Sequence, residues 1–199
     1  MKKVGVYIGR FQPFHNAHLD VVREALGQVD QLVIVIGSAG SYRTRKNPFT
    51  MYERSKMIVG ALTELERERI QVIAVDDYGS NPEWVAKITS DVEQTCSEPS
   101  ENITLFGHTK DESTFYLTLF PHWGFVELGN SSNNLSATYV RDCWHARQDL
   151  EVADSVPNNV YQFLKDFRSS ILYTSIKLSW QNISVQTAER LPIKTTLEF

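Results

Sequence analysis

The run Leu-Val-Ile-Val-Ile at residues 32–36 constrains the fold of this 199-residue chain more than any other feature. Five consecutive large apolar residues, four of them β-branched, are typical of a strand that is buried on both faces of a parallel sheet. Apolar runs that are shorter or interrupted, at residues 3–8, 70–75, 103–106 and 125–128, predict four further strands. Longer amphipathic stretches separate these runs, so we expect an α/β fold with a doubly wound parallel sheet and helices on both faces.

Capping signals mark where several of the helices begin. Thr50 and Glu53 form the capping-box pattern, Asn81-Pro82 predicts an N-cap followed by a first-turn proline, and Ser136 is a predicted N-cap. The predicted helices cover about residues 17–26, 50–62, 81–92, 111–119, 136–147 and 155–167. The remaining tail, residues 169–199, is rich in Ser and Thr and predicts one or two strands or a poorly ordered extension.

Composition narrows the class of protein and its partners. Apolar residues make up 42% and charged residues 22% of the chain, which is typical of a globular protein. The net charge of −4 argues against a dedicated nucleic-acid binder. Residues 1–60 nevertheless hold nine Lys or Arg against four Asp or Glu, which favours a localised anion site over an extended polyanion track. A chance asymmetry of solvated charges is the alternative.

The sequence favours a soluble cytoplasmic protein without a membrane partner. Its two cysteines lack metal-ligand spacing, and it shows neither a signal-peptide pattern nor a long apolar run.

The segment GRFQPFHNAH, residues 9–18, follows the first predicted strand and carries most of the chemistry. Gly9 lets a phosphate approach the backbone closely, and Arg10 offers a fork of donors to phosphate oxygens. His15 and His18 are three residues apart at the start of the next helix, where free backbone N–H groups and the helix dipole favour an anion. They predict a cationic cradle for phosphate. A zinc site is the weaker interpretation, because no third ligand lies nearby in the sequence.

Two later segments carry donors of the same kind. Ser136, Thr138 and Arg141 place two hydroxyls and a guanidinium at a helix start, where they suit a phosphate chain. Without the first motif, Ser136 would be only an N-cap and Arg141 only a surface charge.

The loop at residues 37–48 follows the buried strand and contains Arg43, Arg45 and Lys46. A solvated loop face is the alternative for each of these three basic residues.

These motifs resemble those of the HxGH-type nucleotidyltransferases, with Ala17 at the usual glycine position. The form GRFQPFH is similar to that of the nicotinamide mononucleotide adenylyltransferases of the archaeal type. It also resembles the adenylyltransferase half of bacterial enzymes that carry a C-terminal Nudix domain. The resemblance continues through GSAGSYRTRKNPFTMYER (37–54), Asn81 and Trp84, GHTKDESTFYLTLFPHW (107–123) and LSATYVR (135–141), and it covers about residues 3–167.

The resemblance implies a Rossmann-like sheet of the nucleotidylyltransferase type in a domain at residues 1–168, and adenylyl transfer from ATP to nicotinamide mononucleotide that forms NAD and pyrophosphate. The catalytic residues it implies are His15, His18, Lys46 and Arg141. The ATP-binding residues it implies are Gly9, Arg10, Phe11, His15, His18, Gly107, Ser136, Thr138 and Arg141. The residues it implies for nicotinamide mononucleotide are Ser38, Asp77, Asn81 and Trp84. Mg²⁺ is expected with ATP, held mainly by the substrate phosphates and not by ligands of the chain.

Several alternatives stay open at this point. Trp84 suits stacking on a pyridinium ring, but packing between helix and sheet is a serious alternative. Another transferase of the same fold, acting on a pantetheine, riboflavin or polyol phosphate, would share most of the motifs. A module that senses NAD-related nucleotides without turnover is a third hypothesis. Residues 169–199 contain only Glu189 and Glu198 as acids, so Nudix hydrolase activity is not expected, and a homo-oligomer is compatible with the sequence.

Overall fold

The computed structural model describes residues 2–108, 117–128 and 135–179. Five parallel strands form one sheet in the order β3-β2-β1-β4-β5. The chain runs outward from β1 to β3 and then returns to place β4 on the other side of β1. The order therefore switches between β1 and β4, where ligands of such sheets bind beyond the strand ends. The strands are β1 Val4–Gly9, β2 Gln31–Ile36, β3 Ile70–Ala74, β4 Ile103–Gly107 and β5 Gly124–Glu127.

The central strand β2 confirms the interpretation of the apolar run. Leu32, Ile34 and Ile36 belong to the core on one face of the sheet, and Val33 and Val35 belong to the core on the other. All five side chains are fully buried. The predicted doubly wound α/β fold is thus confirmed, with an apolar core on each face of the sheet.

Eight α-helices accompany the sheet within the described ranges, and the predicted caps at Thr50 and Ser136 are confirmed. Thr50 accepts from the backbone N of Glu53, and the Glu53 carboxylate accepts from the backbone N of Thr50. Ser136 caps its helix by accepting from Tyr139 N. The helices are α1 Asn16–Leu26, α2 Met51–Gly60, α3 Glu64–Arg67, α4 Asn81–Cys96, α5 Ala137–His145, α6 Asp149–Ser155, α7 Asn158–Arg168 and α8 at residues 171–179.

The start of α4 differs from the prediction by one residue. Ser80, and not Asn81, is the N-cap, because its side chain accepts from the backbone N of Glu83. Asn81 is already the first helical residue, and Pro82 follows it in the first turn, where its missing N–H costs nothing.

The C-terminal part differs most from the prediction. The short helix α6 was not predicted, and it ends at Ser155, where the sequence pattern predicted that a helix begins. The predicted strands are wrong for residues 171–179, which are helical. Tyr173 and Ile176 are three residues apart, lie on one face of α8 and are buried in the same core as Trp144. In a strand Ile176 and Leu178 would share one face, whereas in α8 Ile176 is buried and Leu178 is exposed.

Some predictions fall on parts of the chain outside the described residues. They are most of the helix predicted at 111–119 and the part of the tail from residue 180 onward. The proposed division of the chain at residue 168 stays a prediction, although α8 packs on the same core as the helices before it. No described helix is long and apolar enough to cross a membrane.

Candidate active site

A cleft of about 260 Å³ opens at the carboxyl ends of β1 and β4, where the strand order switches. All nine residues predicted to bind ATP line this cleft, and so does Lys46. The sequence motifs that supply them lie more than a hundred residues apart, and the fold brings them to one place. The lining residues are Tyr7, Ile8, Gly9, Arg10, Phe11, Gln12, His15, Ala17, His18, Lys46, Asn47, Gly107, His108, Ser136, Ala137, Thr138 and Arg141.

The loop after β1 explains why residue 9 is a glycine. Phe11 has a φ of 50° and is buried, and its ring folds back over the end of the strand. A Cβ on residue 9 would lie 2.8 Å from that ring. Glycine is therefore needed at this position for the path of the protein chain itself, apart from any approach of a phosphate.

His15 and His18 lie together at the start of α1. Their rings are stacked, with centroids 3.5 Å apart and planes 18° apart. The backbone N–H of His15 donates to Nδ1 of His18 over 3.2 Å. That bond needs a lone pair on Nδ1, so His18 in this arrangement is the neutral tautomer with its proton on Nε2.

This geometry argues against two charged imidazoles, because two positive rings in stacked contact would repel each other. The expectation of a cationic cradle is therefore revised for this pair. Instead of a pair of full charges, His18 offers a neutral N–H donor at Nε2 in the wall of the cleft.

Arg141 is the most firmly positioned cation of the cleft. Its Nη1 donates to the backbone oxygen of Gln12 over 2.7 Å, and its Nη2 donates to Thr138 Oγ1 over 3.1 Å. Burial lowers the pKa of Arg141, and the positive charges of Arg10 and Arg45 lower it further. A bound polyphosphate would relieve that repulsion, so the cleft is electrostatically suited to an anion.

The three basic residues of the loop at 37–48 have separate environments. Arg43 donates to both carboxylate oxygens of Glu53, over 2.7 and 2.8 Å, and to the backbone oxygen of Pro48. Burial by itself would raise the pKa of Glu53, but the bonds from Arg43 and Thr50 outweigh it and hold that pKa below its usual value. Arg45 lies 3.6 Å from an Asp142 oxygen. Only Lys46 of the three lines the cleft described above.

The residues predicted to bind the mononucleotide lie at the same edge of the sheet, but outside the lining of the cleft. Ser38 follows β2 and donates through Oγ to Asp77 Oδ1, beyond β3, over 2.8 Å. Asn81 is exposed at the start of α4. Trp84 is half-buried, with its ring 5.9 Å from that of Phe120 at an angle of 59°. The packing alternative for Trp84 thus accounts for part of its surface.

Sequence reasoning missed two buried polar side chains that shape these loops. Gln12 is 3% exposed and bonds to both backbone groups of Phe49, while Arg54 is 1% exposed and bonds to the loops after β1 and β2. A signal for Arg54 was present, since it precedes Met57 and Ile58 by three and four residues and so lies on the apolar face of α2.

Comparison with known proteins decides the family. Residues 6–142 match the family described as Cytidylyltransferase-like. The chain belongs to this family. The nicotinamide/nicotinic acid mononucleotide adenylyltransferase of Acinetobacter baylyi is 38% identical over 88% of this chain and 92% of its own length. The nicotinamide-nucleotide adenylyltransferase of Thermococcus kodakarensis is 31% identical over 96% of this chain and 99% of its own. The predicted resemblance to this group of nucleotidyltransferase enzymes is confirmed.

The fold comparison agrees with that assignment. A bifunctional NMN adenylyltransferase/ADP ribose pyrophosphatase from Francisella tularensis superposes with a TM-score of 0.79 at 27% identity, covering 98% of this chain. The chain spans 58% of the length of that structure. A second structure of the Francisella protein, with a TM-score of 0.78 at 26% identity, contains AMP and a manganese ion. The predicted nucleotidyltransferase sheet is therefore confirmed.

Proposed function

We propose that the chain transfers the adenylyl group of ATP to nicotinamide mononucleotide, forming NAD and releasing pyrophosphate. One observation carries the proposal: every residue predicted to bind ATP, together with Lys46, lines one cleft at the switch point of the sheet. Relatives that match nearly the whole chain bear the name of this activity, which supports the choice of substrates.

The reaction places modest demands on the protein. The 5′-phosphate of the mononucleotide is already an anion, so it attacks the α-phosphate of ATP in line without a general base. The chain must hold the two substrates in line and stabilise the charge that builds on the α-phosphate and on the leaving pyrophosphate. Arg10, Lys46 and Arg141 line the cleft and supply positive charge, and His18 supplies a neutral donor.

The two substrates fit different strand ends. ATP occupies the cleft beyond β1 and β4, and the mononucleotide occupies the adjoining edge beyond β2 and β3. Ser38 and Asp77 lie at that edge and are already bonded to each other. Trp84 follows on α4 and offers the exposed part of its indole to the pyridinium ring. The reacting phosphates then meet near Gly9 and Ser38, where β1 and β2 end side by side.

A divalent ion fits this scheme as a companion of ATP. The described residues contain no group of three His, Cys, Asp or Glu side chains placed to hold a metal. We therefore propose that Mg²⁺ arrives on the phosphate oxygens, where it neutralises part of their charge and keeps several waters. The manganese and AMP in the Francisella structure support the use of a divalent ion.

The test is a pyrophosphate-release assay with NAD measured in parallel. ATP is offered with nicotinamide mononucleotide, with its deamidated acid form, and with pantetheine, riboflavin and polyol phosphates. We expect both products only with a nicotinamide-type acceptor. Release with another acceptor assigns the chain to a different transferase, and tight nucleotide binding without release identifies a sensing module.

The active-site assignment is tested with a matched pair of histidine variants. His18→Ala is expected to lower kcat by roughly 10²- to 10⁴-fold, because it removes a donor that acts on the transition state. His122 is exposed and does not line the cleft, so His122→Ala is expected to keep the rate of the unaltered protein. Near-normal turnover of His18→Ala would remove His18 from the mechanism.

A further inference from the structure

Arg54 is a buried arginine that the mechanism above does not use. It projects from α2, and its side chain is among the least exposed of the protein at 1%. Its Nη1 donates to the backbone oxygens of Arg10 and Gly37, over 2.8 Å each, and its Nη2 donates to that of Ser38 over 3.0 Å. One guanidinium therefore joins the loop after β1 to the loop after β2.

The charge of Arg54 is held by carbonyl oxygens alone. Within the described ranges its bonds all end on backbone oxygens, and no carboxylate lies within ion-pair distance of it. Burial lowers its pKa to about 10, with Asp77 acting against that change and Arg10 adding to it. The group is thus still protonated at neutral pH. A permanent positive charge lies behind the strand ends at which the phosphates would meet.

The hydrogen bonds from Arg54 to the oxygens of Arg10 and Gly37 fix the orientation of the peptide groups 10–11 and 37–38. In a planar trans peptide, the N–H points away from the direction of the C=O. Because the Arg10 and Gly37 oxygens turn toward Arg54, the N–H groups of Phe11 and Ser38 turn away from it. Phe11 and Ser38 both have positive φ, at 50° and 49°, which keeps these peptides in an orientation that non-glycine residues seldom adopt. Among the described residues, neither N–H has a hydrogen-bond acceptor.

We propose that Arg54 is a positioning residue for both substrates. It orients the strand-end peptides of β1 and β2 so that the N–H groups of Phe11 and Ser38 serve as phosphate donors, one on the ATP side and one on the mononucleotide side. It reaches the reacting atoms only through these peptides. This role rests on the proposed adenylyl transfer.

Arg54→Met is the informative variant, and Arg69→Met is its matched control. Arg69 is also held by backbone oxygens, those of Leu26, Val29 and Asp30, but it lies at the opposite, amino-terminal edge of the sheet. Both variants exchange a carbonyl-bound guanidinium for an unbranched apolar chain. Arg69 is exposed and Arg54 is buried, so Arg69→Met controls for the lost carbonyl bonds, and thermal unfolding measures any further loss of stability in Arg54→Met. Only Arg54→Met disturbs the peptides beside the cleft.

The readouts are thermal unfolding, kcat and KM for each substrate, and calorimetric ATP binding, all at a temperature where each variant is folded. We expect Arg54→Met to lower kcat by roughly 10²-fold, as for other small misplacements of reacting groups, and to raise the KM of both substrates. Arg54→Lys keeps the charge and loses the fork, so its kcat should fall between those of Arg54→Met and the unaltered protein. Arg69→Met should keep kcat within about twofold, since its loops lie away from the substrates.

Three outcomes overturn the positioning role. A kcat for Arg54→Met within twofold of the unaltered protein shows that the peptides keep their orientation without it. An equal loss in Arg69→Met assigns the effect to stability. If both Arg54 variants fail to fold while Arg69→Met folds, Arg54 is structural only. If the unaltered protein releases no pyrophosphate, the proposed function fails instead, and ATP calorimetry on the same variants still decides whether Arg54 orients a phosphate site.

Discussion

Replacing Gln12 by Leu tests how the active-site loop is tied to the core. Gln12 Nε2 donates to the backbone oxygen of Phe49 over 2.8 Å, and Gln12 Oε1 accepts from the backbone N of Phe49 over 3.0 Å. Both residues are nearly fully buried, at 3% and 2% exposed. Leu fills a similar volume and offers no hydrogen bond. The N–H and C=O of Phe49 would then be buried without partners.

The expected cost follows from those two groups. An unsatisfied buried donor or acceptor costs about 1–3 kcal/mol, so the pair costs about 2–6 kcal/mol. Burial of the apolar surface of the new Leu stabilises the folded state by roughly 1 kcal/mol. We therefore expect the free energy of unfolding to fall by about 3 kcal/mol. Urea unfolding followed by tryptophan fluorescence resolves a change of that size, and Trp144, whose ring lies 5.5 Å from that of Phe49, reports on this part of the core.

Two further variants make the measurement specific. Gln28 is exposed at the end of α1, so Gln28→Leu applies the same chemical change and is expected to stay within about 0.5 kcal/mol of the unaltered protein. Gln12→Glu keeps an acceptor for Phe49 N but sets a carboxylate oxygen against Phe49 O. Only the protonated acid satisfies both groups, so the folded state of this variant binds a proton more tightly. Its stability should therefore rise as the pH falls.

Activity should fall with stability in this case. The backbone oxygen of Gln12 accepts from Arg141 Nη1, so a loosened loop also loosens the best-positioned cation of the cleft. We expect Gln12→Leu to lower kcat/KM for ATP even where the protein is fully folded. A Gln12→Leu protein that unfolds within 0.5 kcal/mol of the unaltered one would refute the reasoning, because the two buried Phe49 groups would then have found other partners.

Three further changes test neighbouring features. Gly9→Ala should displace the Phe11 ring, because the added Cβ would lie 2.8 Å from it, and steady-state kinetics should show a raised KM for ATP. Trp84→Ala should raise the KM of the mononucleotide more than that of ATP; equal effects on the two would remove the stacking role and leave only the packing on Phe120. Burial lowers the pKa of His145 to about 4, so the unfolded chain binds a proton at a higher pH than the folded protein does. The free energy of unfolding should therefore fall by about 1 kcal/mol as the pH is lowered from 7 to 5. Unfolding measured as a function of pH should show that His145→Asn abolishes this loss.

The fold could be predicted from sequence because its signals are local. The uninterrupted run of β2 has an apolar residue for each face of the sheet, and the capping boxes act over three residues. The tail shows where such signals fail. Ile176 and Leu178 fit an alternating strand, but Tyr173 and Ile176 fit a helix equally well, and packing against the core around Trp144 decides for the helix.

The candidate site divides in the same way. The motif GRFQPFHNAH and the Ser136–Arg141 segment identified the residues that line the cleft, because short spacings at a strand end or helix start suffice for phosphate chemistry. The motifs did not show that His15 and His18 stack with a shared hydrogen bond, which argues against two charged rings. In the loop at 37–48 the resemblance had singled out Lys46, and of the three basic residues there it is Lys46 that lines the cleft.

The sequence by itself therefore determined the parallel sheet, the family and the residue types available for the phosphates. The tertiary structure alone decided how those residues are held. Gln12 reaches Phe49 across 37 residues, Arg54 reaches Arg10 across 44, and Arg141 reaches Gln12 across 129. The partner of a side chain at such a separation depends on the order of the strands in the sheet. Local periodicity of apolar residues does not predict that order.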